Sequence, residues 1–183
     1  PSTYSFKIDF IDLVSSLLTA TFKESIALIK SFFDGNFSFD LKTHDGKARL
    51  GKIITPKGSI NTPAFMPVGT LGTVKGIFTD DILKTNTQII LGNTYHLLLR
   101  PGIKTLEQFK GLHKFMNWKN VILTDSGGFQ AWSLPTKIDK DGVVFKNIYD
   151  GSSFKMTPEI SIKSQNKLWS DIAMIFDCLI DIK

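Results

Sequence analysis

Val121-Ile-Leu-Thr-Asp-Ser-Gly-Gly-Phe-Gln130 is the stretch on which the reading of this chain turns. Val121 to Thr124 are apolar or β-branched, the composition of a buried strand. Asp125 follows at the C-terminal end of that strand, then Ser126, Gly127 and Gly128. Two glycines permit positive φ and let a ligand approach the backbone closely. Phe129 and Gln130 add a flat apolar face and an amide. A carboxylate, exposed amides and an aromatic ring at one strand end suit a planar, hydrogen-bonding ligand such as a purine. Taken alone, the plainer reading is a tight turn after a strand.

Working outward, the pattern of strand, loop and helix repeats on both sides. Pro63–Met66 reads as a strand ending in Pro67-Val-Gly-Thr70, and Gln88–Leu91 as a second, ending in Gly92-Asn-Thr-Tyr-His96. Asp171–Phe176 reads as a fourth, with Asp177 at its end. Between them, Thr79-Asp-Asp-Ile82 opens a helix with Thr79 at the N-cap, and Pro101-Gly102 precedes a helix from about Ile103 to Lys110. Thr157-Pro-Glu159 begins a third, with Thr157 at the N-cap and Pro158 at the first position. Lys137–Met156 looks like an inserted hairpin. Strands alternating with helices predict an α/β fold on a parallel sheet. Thr70, Asn93, Asp125 and Asp177 then gather at strand C-termini, where (β/α)₈ barrels and open α/β sheets both place their sites. Singly, Asp177 could be a helix cap and Asn93 a turn residue; four such ends on one edge are harder to dismiss.

Toward the N-terminus, Phe37 to Leu41 alternates apolar and polar residues, His44-Asp-Gly-Lys47 is a hairpin turn, and Ala48 to Thr55 is a second strand. Ile60 to Met66 is a third extended segment, kept to an edge or an end by Pro63 and Pro67. Together they predict a small antiparallel sheet leading into the main domain. Asp34-Gly-Asn36 marks a boundary, which divides the chain into a segment 1–35 and a domain 36–183. Within the first segment, over residues 8–33, Ile11, Val14, Leu18, Phe22, Ile26, Ile29 and Phe33 recur at three- and four-residue steps, as in an amphipathic helix or two helices broken near Thr19–Thr21. Asp9, Asp12, Lys23 and Glu24 keep its apolar run too short to span a membrane and argue against a secretory signal. A packing helix is the favoured reading; a membrane-surface or organelle-targeting role is the other.

The 42% hydrophobic and 21% charged composition is that of an ordinary globular chain. The net charge of +5 is unevenly spread. Residues 1–35 hold three Lys against four Asp and Glu, which leaves 19 basic and 13 acidic groups in the rest. That excess is compatible with an anionic partner such as nucleic acid. Cys178 is the sole cysteine, so no intrachain disulfide can form, a zinc site made within this chain is disfavoured, and a reducing, cytoplasmic compartment fits.

Asp125-Ser-Gly-Gly128 also resembles the nucleophile loop of chymotrypsin-like serine proteases, in which Ser126 would attack. That reading needs a histidine base. His96 lies within Asn-Thr-Tyr-His, His44 in a turn and His113 between elements, and a βαβ pattern conflicts with an all-β protease.

A longer set of motifs points elsewhere. Thr62-Pro-Ala-Phe-Met-Pro-Val-Gly-Thr70, Ile90-Leu-Gly-Asn-Thr-Tyr-His-Leu97, Arg100-Pro-Gly102, Leu123-Thr-Asp-Ser-Gly-Gly-Phe-Gln130, Asp150-Gly151 with Thr157-Pro-Glu159, and Ser170-Asp-Ile-Ala-Met-Ile-Phe-Asp177 occur in this order. Over roughly residues 37–178 the chain resembles the N-terminal half of a tRNA-guanine transglycosylase, or queuine tRNA-ribosyltransferase. The resemblance implies about the first four βα units of a (β/α)₈ TIM barrel, in an enzyme that exchanges guanine in the tRNA anticodon for a 7-deazaguanine base. It implies that Asp125 contacts the base and transfers protons, that Asp177 recognises the purine's donor edge, that Ser126 and Phe129 line or cover the base, and that Asn93 supports the pocket. The implied partners are tRNA and guanine or a 7-deazaguanine, in a dimer whose make-up stays open, with no membrane.

The family's nucleophilic Asp and its Cys/His zinc site lie in the second half of the barrel, which places both beyond Lys183 and leaves no cofactor in this chain. After Asp177-Cys178 the sequence Leu179-Ile-Asp-Ile-Lys183 departs from the family pattern, and the acidic residue expected between Asp177 and the cysteine is missing. The expectation is therefore a truncated chain, inactive alone and exposing apolar faces. A non-catalytic remnant or a binding module is the alternative.

Overall fold

A computed structural model describes residues 37–177. The expected helix over residues 8–33, Cys178 and Asp181 lie outside the described residues. Within them the chain is a mixed α/β structure of three sheets, six short α-helices and one π-helical turn at Leu98–Gly102.

Strands β1 (Ser38–Asp45), β2 (Ala48–Thr55) and β3 (Gly58–Thr62) form an antiparallel sheet in that order. The hairpin turn lies where the sequence places it, and β2 has the expected bounds. The third strand does not run over Ile60–Met66; it ends where Thr62 pairs with Gly51, because the next residue is Pro63, which has no N–H to offer the ladder.

The main sheet is parallel and holds β4 (Val68–Gly69), β5 (Ile89–Gly92), β6 (Val121–Thr124) and β10 (Ile172–Ala173), in spatial order β10-β6-β5-β4. Two expected strands are displaced or shortened. Pro63–Met66 is not a strand of this sheet: pairing starts only where Pro67 O accepts from Leu91 N, and β4 follows. Asp171–Phe176 contributes just Ile172 and Ala173, opposite Leu123 and Thr124. Beyond Thr124 its neighbour turns away toward β5, where Asp125 N donates to Gly92 O. Met174 N still reaches Thr124 O at 3.2 Å, but the Gln165 side chain takes over, with its Nε2 donating to Met174 O at 2.7 Å and Met174 N to its Oε1 at 2.9 Å.

Both faces of this sheet are covered, so its strands read as continuous apolar runs rather than alternating ones. Alternation survives in which core each residue joins. Ile89, Val121 and Leu123 pack with Ile172 against Ile53 and Ile60 of the antiparallel sheet. Ile90 and Ile122 point the other way, into a core with Ile82, Leu97, Leu106, Leu112 and Leu168 from the helices. Ile90 and Ile122 are fully buried, and truncating either to Ala removes about 2–5 kcal/mol.

Those helices are α1 (Thr79–Lys84), α2 (Thr94–Leu97), α3 (Ile103–Gln108), α4 (Leu112–Met116) and α6 (Pro158–Leu168); α5 (Gly128–Ser133) begins in the Gly-Gly turn itself. Thr157 caps α6 as expected, accepting from Ile160 N at 3.3 Å. Thr79 is not a cap. Phe78 holds that position, and the Thr79 hydroxyl donates instead to Met116 O at 2.9 Å, tying α1 to α4.

The insertion between α5 and α6 is a three-stranded meander, not a hairpin: β7 (Lys137–Asp139), β8 (Gly142–Lys146) and β9 (Ser153–Met156). Val143, Phe145 and Met156 bury a third core with Tyr95 and Ala131. This core seats the meander on α2 and α5, the two helices that start at the C-terminal ends of β5 and β6.

Candidate functional site

The order of the parallel strands brings the ends of β5 and β6 side by side, and Asp125 occupies the junction. Its Oδ2 accepts from Asn93 Nδ2 at 2.6 Å and its Oδ1 from Thr94 N at 2.8 Å. The Thr94 hydroxyl donates to Asp125 O at 2.6 Å. Asn93 is held in turn, because its Oδ1 caps α2 by accepting from His96 N at 3.0 Å. That fixes which way round the Asn93 amide lies, so its NH₂ must face the carboxylate.

All these donors to Asp125 are neutral. Burial pushes its carboxyl up to about 7, against the backbone N–H groups of Thr94 and Gly127, which pull it down; the nearby Asp177 adds to the rise. A carboxyl so placed exchanges its proton near neutral pH, as an acid–base catalyst does.

Ser126 points to the second carboxylate. Its hydroxyl donates to Asp177 Oδ1 at 2.5 Å and accepts from Gly128 N at 3.1 Å, while Ser126 O accepts from the Ser161 hydroxyl at 2.7 Å. Gly128 is required here: a Cβ would lie 2.1 Å from Asp177 Oδ1 and 2.4 Å from Asp177 O. Gly127 adopts φ +86 and a Cβ there would lie 3.1 Å from Met156 Sδ, so this glycine serves both the turn and the meander's close approach. Phe129 stands 54% exposed on the first turn of α5, its ring centroid 5.9 Å from that of Trp132.

The positions singled out in the sequence thus fall into two bonded pairs, Asn93 with Asp125 and Ser126 with Asp177, and an exposed ring beside them. Thr70 ends β4, on the far side of β5. Ser126 has no imidazole partner, which removes the protease arrangement. His96 meets Tyr95 edge-on at 5.1 Å, His113 lies against Asp171 at 3.0 Å, and His44 sits in β1 opposite Arg49.

Three supports escaped the sequence. Thr94 makes two of the bonds that orient Asp125, and its place directly after Asn93 was the signal available. Gln165 is fully buried in the middle of α6, bonding Met174 and lying 2.9 Å from the Thr124 hydroxyl. Ser170 joins the same group, 2.8 Å from Thr124 Oγ1. Polar residues within a helix carry no local mark of such a role. Among the described residues, no group of three or more His, Cys, Asp and Glu is placed to hold a metal ion, and no helix is long and apolar enough to cross a membrane.

The model of the queuine tRNA-ribosyltransferase family matches residues 44–182. Queuine tRNA-ribosyltransferases of Pseudoalteromonas translucida, Prochlorococcus marinus and Ruegeria pomeroyi are 56%, 55% and 54% identical over 141, 145 and 143 residues. These alignments cover 76–77% of this chain and 38–39% of each relative, so the chain spans about two fifths of the length of the curated relatives it matches. Matched over most of its length, this chain belongs to the queuine tRNA-ribosyltransferase family.

Proposed function

We propose that the protein carrying this chain exchanges guanine in a tRNA anticodon for a 7-deazaguanine, and that residues 37–177 form the base-binding side of its site. The observation that carries this reading is the pairing of Asp125, poised near neutrality, with a second carboxylate, Asp177, held through Ser126. In this scheme Asp125 gives a proton to the departing base or takes one from the incoming base. Asp177 keeps lone pairs beyond the one met by Ser126, and these accept from guanine N1–H and N2–H. The exposed face of Phe129 covers the ring. Asn93 and Thr94 orient Asp125.

The four parallel strands are the first part of a (β/α)₈ barrel on this reading. The face carrying Ile89, Val121 and Leu123 becomes the barrel interior, with the antiparallel sheet of Ile53 and Ile60 plugging one end. Residues 36–183 then belong to one barrel domain, with 1–35 as an extension of its own. The carboxylate that attacks the ribose and the zinc ligands come from the part of the relatives' length that this chain does not span, as does part of a dimer interface. A cytoplasmic location goes with a tRNA substrate. The 183-residue chain alone is expected to be inactive, since none of its described carboxylates is assigned to the ribose.

The test extends the sequence to its relatives' length and follows radiolabelled guanine into tRNA. Incorporation is expected. A folded protein that incorporates none removes the proposal, and incorporation by the 183-residue chain alone would overturn the assignment of roles.

A further inference from the structure

One exposed feature on the site side of the molecule has no part in the scheme above. Tyr149 stands at the tip of the β8–β9 connection, 47% exposed, with the Arg100 guanidinium 5.5 Å from its ring centroid. Both belong to the site's end of the fold. Arg100 follows α2, the helix that starts at Asn93. Tyr95 links the two places: its Cβ lies against Gly127 of the site turn, and its hydroxyl reaches toward Lys146 O at 3.5 Å, three residues before Tyr149. Tyr95 thus spans from the Asp125 turn to the end of the strand that leads into the Tyr149 loop.

The loop that carries it is fixed rather than slack. Asn147 N donates to Ser152 O at 2.7 Å, Gly151 N to Asn147 O at 2.9 Å, and Tyr149 N to Asn147 Oδ1 at 2.9 Å. Asp150, the one acid in this loop, is engaged by the Ser152 N–H and hydroxyl at 2.8 and 2.6 Å. A rigid, exposed aromatic face next to a guanidinium is the combination that holds a single-stranded nucleotide: the base stacks on the ring and the cation takes the phosphate.

We propose that Tyr149 and Arg100 form a second contact for the RNA strand, binding a nucleotide that flanks the exchanged one. The inference rests on the tRNA reading above and adds to it a place where the strand is gripped outside the base pocket. Tyr149 supplies stacking, which tolerates any base, and Arg100 supplies one phosphate neutralisation. The pair therefore contributes affinity for RNA and nothing to the binding of a free base.

The experiment measures binding of a fluorescein-labelled anticodon stem-loop RNA to the protein extended to its relatives' length by anisotropy over a range of salt concentrations, and binding of free guanine separately. Tyr149→Ala is expected to weaken RNA binding about tenfold and Tyr149→Phe to leave it within about twofold, because the ring alone stacks. Arg100→Gln is expected to weaken it and to reduce the slope of log K against log salt by about one. Guanine binding and the thermal midpoint stay at wild-type values in all three. RNA affinity unchanged in Tyr149→Ala and Arg100→Gln overturns the proposal, as does a wild-type protein that binds no RNA. The two readings fail separately. Tyr149→Ala with wild-type RNA affinity, in a protein that still exchanges guanine, sinks only this contact. RNA binding that depends on Tyr149, in an extended protein that incorporates no guanine, keeps the contact and sinks the exchange.

Discussion

Two aspartates sit at opposite ends of the same parallel sheet, Asp171 buried and Asp125 half-buried, and they meet different partners. Asp171 precedes β10 at the N-terminal end. Its Oδ2 accepts from Ile122 N at 2.8 Å and meets His113 Nε2 at 3.0 Å, its N–H donates to Ile122 O, and its side chain is 3% exposed. It clamps β10 to β6 and to α4, with the His113 imidazole against one of its oxygens. Asp125, at the C-terminal end, meets neutral donors. Burial without a countercharge stabilises the neutral carboxyl, and that is what leaves Asp125 titratable near pH 7. What separates the two is the set of partners, an imidazole beside Asp171 and neutral amide donors alone beside Asp125. Removing Asp125 should therefore cost turnover, and removing Asp171 should cost stability.

The largest effect is expected at Asp125. In the protein extended to its relatives' length, Asp125→Asn should lower guanine exchange at least about a hundredfold, as for a lost general acid or base. The substitution also sets an NH₂ against a donor whichever way the new amide turns, either the Asn93 NH₂, fixed by the α2 cap, or Thr94 N–H. A stability loss of about 1–3 kcal/mol should accompany it. Near-normal turnover would make Asp125 a turn former and erase the contrast between the two ends.

Asp171→Ala tests the other end. It leaves Ile122 N without its partner in a buried place and leaves His113 Nε2 only Asn120 O, at 3.1 Å, at a cost of about 3 kcal/mol in urea denaturation. Below the melting range, exchange per folded molecule should match wild type. A drop in turnover at unchanged stability would mean that the opposite end communicates with the chemistry.

The pH dependence of stability sharpens the comparison. The folded protein holds the Asp125 proton up to about pH 7, whereas the unfolded chain releases it near 3.8. Between those values the native state binds more protons, so unfolding free energy falls as pH rises. The contribution is fully present below 3.8 and lost by about 7. Asp125→Asn should flatten that part of the curve. Parallel curves for wild type and Asp125→Asn would show that Asp125 does not titrate there.

How much of this was legible in the sequence follows from the range of the interactions. The Asp125 stretch was readable because a strand, a carboxylate and two glycines are contiguous, and the turn at Gly127 and Gly128 is as tight as that spacing suggested. Thr157 was readable because capping is a matter of three residues. Thr79 has the same local signature and fails, since Met116 O, 37 residues away, takes its hydroxyl. Short strands failed for the same reason. Asp171–Phe176 is apolar enough for six residues, but its neighbour offers a ladder for only two. The His113–Asp171 clamp joins residues far apart in sequence, and nothing near either one announces it.

The smallest expected effect belongs to Ser126, and it separates the two surviving uses of a hydroxyl at this position. Ser126 bridges the halves of the site by donating to Asp177 and accepting from Gly128 N. Its Oγ therefore positions a carboxylate and has no base to ionise it. Ser126→Ala removes one hydrogen bond to a charged group, worth about 1–2 kcal/mol, and leaves Asp177 to be oriented by the bound base alone. Guanine affinity measured by calorimetry should fall about tenfold, with exchange at saturating guanine lowered less than in Asp125→Asn. Complete loss of turnover at unchanged guanine affinity would make Ser126 a reacting group. An affinity equal to wild type would mean that Asp177 needs no help from the turn, and that the glycine at 128 is kept for backbone clearance alone.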